Sequence, residues 1–239
     1  MNDLEGYYEE PIMEEEETSI SRVEKEIDYK NFLIELAYHE ASHFVFDQLI
    51  LKMNLGFTPV CSMFVHADKE NKILEGKVSL LERTNNKSPY AFYKQNPMRL
   101  YAFLLVTLAG YTSRLVFIDN DPFFISKTDL KNYTDGKLFY YSLDILPRDV
   151  DDVRKTQDYI REFLKIQRNQ QKEMITSLVA DIELLMEKPA MNLAIRYVKN
   201  ILIENNGTEI IGQELESVRW KTDILLSKIS LEDTISKYL

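Results

Sequence analysis

The chain has 239 residues, 45% of them hydrophobic, and a formal charge of −10, which is apolar material enough for a buried core and excludes wholesale disorder. Eleven acids and two bases fall within residues 1–28, so the remaining 27 bases and 28 acids leave the body of the chain nearly neutral. A near-neutral body lacks the basic field that nucleic-acid binding needs, and nucleic acid is excluded as an expected partner.

The opening MNDLEGYYEE has neither the basic start nor the apolar run of a secretory signal. With the acidic run Glu14 to Glu17, residues 1–19 read as a flexible, solvated leader preceding a single domain over 20–239. From Tyr29 the texture changes: KNFLIELAYHEASHFVFDQLILKMNLG runs for more than twenty residues without proline and reaches Gly56 and Pro59. This predicts a helix buried over most of its circumference, with Gly56 as its stop. Two β-prone runs follow, Val60 to His66 and Lys77 to Leu81, around a polar centre, and predict a hairpin or small sheet. Cys61 is the only cysteine, which excludes an intrachain disulfide and fits a reducing compartment.

Met98 to Ile118 predicts a second apolar helix; its longest apolar run, Leu100 to Tyr111, is short of the roughly 20 residues of a membrane span. No membrane segment is expected, and the chain reads as cytoplasmic. Residues 120–147, broken by Pro122, Gly136 and Pro147, read as an inserted loop region. A helical pattern resumes from Asp149 through Lys188, and another helix runs from Pro189 to about Glu204, before a short helical cap and tail. The fold class is mainly α, with one small β element after the first helix. Aromatic patches at Tyr90 to Tyr93 and Leu138 to Tyr141 read as core or loop anchors.

The first helix carries His39-Glu40-Ala41-Ser42-His43, an H-E-x-x-H pattern that uses two of the protein's three histidines. Histidines four apart share one helix face, so both imidazoles can bind one Zn²⁺, and the intervening glutamate is angled to serve as general base toward a water on the metal. Zinc lowers the pKa of that water toward about 7, which makes the pattern one of metal-assisted amide hydrolysis. A third protein ligand is needed. An extended motif would place a third histidine where Leu49 stands. His66 reads as a surface or hairpin residue and Cys61 as a buried thiol. A carboxylate is left to fill the role, with Asp149, Asp151 and Asp152 as candidates.

These residues resemble the zinc peptidase domain of the FtsH-type membrane AAA proteases, the M41 peptidases. The resemblance runs in family order through LAYHEASHFVF, the hairpin around Val78-Ser79-Leu80, VTLAGYTSRLVF, DDVRKT and LAIRYVKNILIENNGTEIIGQEL. It implies a helical FtsH-like peptidase fold, His39, His43 and Asp152 as zinc ligands, and Glu40 as catalytic base. Ser42 stands where the family has glycine, Asp151 where it usually has asparagine, and the segment before Asp152 is longer. No G-x-x-x-x-G-K-[ST] motif accompanies the domain. The resemblance implies a peptidase acting without its own motor on peptides or unfolded proteins, with folded substrates brought by a separate delivery partner; the alternative is an inactive M41-like binding or regulatory module. Family domains assemble as rings, so a homo-oligomer is compatible with the resemblance.

Overall fold

The computed structural model describes residues 29–80, 92–93, 96–118 and 147–229, without the side chains of 80, 147–151 and 168. The expected leader over 1–19, most of the insert over 120–147 and the patch from Leu138 to Tyr141 lie outside the described residues. Helix α1 spans Tyr29–Leu51 and strands β1 and β2 span Val60–Asp68 and Ile73–Leu80. Helices α2 (Pro97–Phe117), α3 (Pro147–Leu164), α4 (Arg168–Met186) and α5 (Pro189–Glu204) follow. Strand β3 (Ile210–Ile211) leads into α6 (Gly212–Leu225) and a short 3₁₀ turn. The protein is mainly helical with a small antiparallel sheet of order β2-β1-β3.

Helix α1 is central: α2 and α5 pack along it and the sheet covers it. Phe44, Phe46, Leu49 and Ile50 are fully buried, as a helix apolar around most of its circumference requires. It ends at Leu51, five residues before the expected stop. Asn54 takes the left-handed conformation (φ 55°) that closes the turn, and Gly56 (φ 80°) bends the chain toward β1.

Asn96 caps α2 by accepting the Met98 N–H at 2.9 Å, and Pro97 supplies the first helical residue. At 21 residues α2 is long and apolar enough to cross a membrane, longer than the apolar run alone suggested, yet 72% of its most apolar window is buried against the protein. Its role here is that of a core helix. The expected helix from Asp149 to Lys188 is two: Lys165 turns left-handed (φ 52°), and the Gln170 side chain accepts the Gln167 N–H at 3.0 Å to begin α4. Neither glycine nor proline marks this break. The two-residue β3 was also unanticipated.

Asn206 and Gly207 clip the end of α5 to β1. The Asn206 side chain accepts from the Ala67 N–H at 2.9 Å and donates to the Ala67 carbonyl at 3.1 Å, while the Gly207 N–H donates to Val65 O at 2.8 Å. Asn206→Ala removes both side-chain bonds from a partly solvated site and is expected to lower unfolding free energy by about 1 kcal/mol in urea denaturation; no change would show that the clip is redundant.

Candidate metal centre

On α1 the spacing of four puts His39 and His43 on one stripe, and α3 brings Asp152 to meet them. The His39 and His43 Nε2 atoms are 3.0 Å apart, and Asp152 Oδ2 lies 3.3 Å from the first and 3.2 Å from the second. The His43 Nδ1 faces the Val106 carbonyl at 2.7 Å. A carbonyl only accepts, so Nδ1 carries the hydrogen and Nε2 turns its lone pair toward the cluster, the arrangement a metal-ligating histidine uses.

These three residues could hold a metal ion. Asp152 Oδ2 is a buried anionic oxygen set between two imidazole nitrogens, and among the described residues no well-aligned donor satisfies it. A tetrahedral ion with bonds of about 2.0–2.1 Å separates neighbouring ligand atoms by about 3.3 Å, close to the three edges observed. Burial alone would push the Asp152 carboxyl up, but with the imidazoles protonated in place of a metal, the charge of His43, the N–H groups of both rings and the charge of His39 outweigh it and hold the group well below the usual carboxylate range. Because α3 begins at Pro147, Asp152 sits in its second turn, where the helix dipole has largely faded. Lys155 Nζ approaches the other oxygen, Oδ1, at 3.8 Å. The side chains of Asp149 and Asp151 lie outside the described residues.

Two glycines make the close packing feasible. A Cβ on Gly110 of α2 would stand 2.5 Å from His43 Nε2 and 2.6 Å from His39 Cε1, so only a bare backbone can back the histidine pair. A Cβ on Gly76 of β2 would stand 2.7 Å from Glu40 Oε1. Glu40 thus lies flat against the strand, 4% exposed, and faces the same cleft. The β-prone run expected from Lys77 begins four residues earlier, at Ile73, so that Gly76 falls inside the strand, where a glycine permits such an approach.

An aromatic cluster fixes α3 against α2: the Tyr159 ring lies 4.6 Å from Phe103 and 5.7 Å from Tyr93. Tyr93 is therefore a core anchor, as its sequence patch suggested, while Tyr90 lies outside the described residues. His66 sits apart, against Phe64 and Gly207, and Cys61 occupies the irregularity in the β1–β2 pairing; neither belongs to the cluster. The cleft is a cavity of about 440 Å³ bordered by His39, Glu40, His43, Asp152, β2 and α2.

It also contains Asp47, one turn beyond His43 and missed in the sequence because a single acid in an apolar helix matches no motif. Burial pushes its carboxyl up to about 7, against the downward pull of the Val60 N–H and of Arg219. No family model matches the sequence, and no curated protein matches it.

Two outcomes follow from this geometry. Gly110→Ala should displace the His39 and His43 rings, read as shifted imidazole NMR signals, while the helical circular dichroism persists; unshifted signals would contradict the packing of the histidines on Gly110. The folded Asp47 holds its proton more tightly than the unfolded chain, so its contribution is fully present below about pH 4 and is lost as pH rises through about 7. Asp47→Asn should accordingly gain about 2–3 kcal/mol relative to wild type between pH 5 and pH 8 in urea unfolding; a constant difference would refute the raised pKa.

Proposed function

We propose that the protein is a zinc-dependent metallopeptidase of the kind the M41 resemblance implies. The single observation that carries this reading is the meeting of His39, His43 and Asp152 in one cleft with Glu40 beside them and an edge strand alongside. Two neutral nitrogens and one carboxylate form a donor set suited to catalytic zinc, which leaves a coordination position for the reaction. Zinc held there supplies Lewis acidity toward a carbonyl and acidifies water.

The chain's own residues do the rest. Glu40, held by the Gly76 backbone, takes a proton from the attacking water and returns it to the leaving amine. Val106 O keeps the His43 ring oriented. Because β1 is paired on both sides and no strand among the described residues pairs with the outer edge of β2, an extended peptide has that edge to extend, with Gly76, Lys77 and Val78 along the cleft. Such a site suits peptides and unfolded segments, with delivery of folded proteins left to a separate partner. A purely non-catalytic binding module would need the donors but not a buried carboxylate at Glu40.

Glu40→Gln is expected to retain zinc within about threefold of wild-type affinity while losing cleavage of unfolded casein by about 10²–10⁴-fold. Undiminished cleavage would remove Glu40 from the reaction, and a zinc-loaded wild-type protein without turnover would favour the binding module.

A further inference from the structure

Asp47 has no part in the chemistry above, yet it is one of the most deeply buried acids described, 2% exposed. The stripe that carries His39 and His43 continues to it, about 6 Å further along α1. The Val60 N–H donates to its carboxyl group, the residue lines the cleft, and its buried Oδ2 has no hydrogen-bond partner among the described residues. The cleft it lines has apolar walls from Val60, Phe103 and Val106, with Thr107, and carries Lys77 and Lys155 as well. Arg219 acts electrostatically on the carboxyl group, while its guanidinium donates to Val60 O at 2.6 Å and pairs with Glu216, and its buried Nε has no hydrogen-bond partner among the described residues.

We propose that Asp47 is the floor of a substrate side-chain pocket that selects a basic residue, lysine foremost, beside the bond presented to His39, His43 and Asp152. This rests on the peptidase reading and adds its substrate class. Apolar walls accept the methylene stem of a long side chain, and the unpaired Oδ2 accepts from its terminal donor. An apolar substrate residue would leave that oxygen desolvated and unsatisfied, and an acidic one would set two carboxyl groups together. Oδ2 is a single acceptor, which suits a compact ammonium better than the two-pronged guanidinium fork. Burial has already raised the Asp47 carboxyl, and a cationic partner supplies the compensation the protein itself leaves incomplete.

The test is a selection from a random decapeptide display library on zinc-treated Glu40→Gln protein, which reads binding without turnover. Lysine is expected at one fixed position, enriched at least fivefold; exchanging it for norleucine in a selected peptide should weaken binding tenfold or more. Placing Asp47→Asn on the same background should abolish the enrichment and Asp47→Glu should keep a basic preference. No captured peptides, no basic enrichment, or a norleucine peptide binding within twofold would overturn the proposal, and the peptide exchange decides it even where Asp47→Asn fails to fold. Wild-type protein that selects lysine but never hydrolyses the selected peptides would sink the peptidase reading alone. Hydrolysis without a lysine preference would sink only the pocket.

Discussion

Three electron-pair donors stand 3.0–3.3 Å apart in the interior of this protein, two imidazole nitrogens and a carboxylate oxygen that no well-aligned donor satisfies among the described residues. Removing such groups from water is costly unless a positive charge compensates them. The structure around them is arranged to keep them close: His43 is tethered to Val106 O, Asp152 is delivered by a helix locked through Tyr159 and Phe103, and Gly110 gives up its side chain to admit the pair. Apolar burial of α1 on its other faces is what makes so polar a stripe tolerable.

The same helix carries Glu35, His39, His43 and Asp47 at intervals of four, a polar stripe that runs most of its length within an otherwise apolar core. At one end Glu35 meets Arg114 at 3.5 Å, a buried pair joining α1 to α2. In the middle lie the histidines, with Glu40 on the adjoining face against β2. At the other end Asp47 sits against the start of β1. Chemistry and substrate selection would then share one rigid element, which positions groups better than a loop does.

Much of this was legible in the sequence because it rests on local spacing. The i, i+4 histidines, the Pro189 helix start and the hairpin all follow from period and turn chemistry. What escaped depends on partners distant along the chain. Lys165 breaks a helix with no glycine or proline to announce it, and β3 is two residues whose strand character exists only against β1. Asp47 looks like an ordinary polar interruption until the cleft wall is closed by α2. For the aspartate of the candidate metal centre, residue type leaves three neighbours and only the resemblance singles out Asp152; in the structure, Asp152 reaches the histidines.

The proposed chemistry requires a metal ion as the compensating charge, and not merely a proton shared among these groups. Metal analysis of protein purified without chelators or added metal tests that requirement most directly: the account predicts about one zinc per chain, lost from a His39→Ala, His43→Ala double variant. Protein that is folded, free of metal, and takes up none from a stoichiometric Zn²⁺ titration would contradict it.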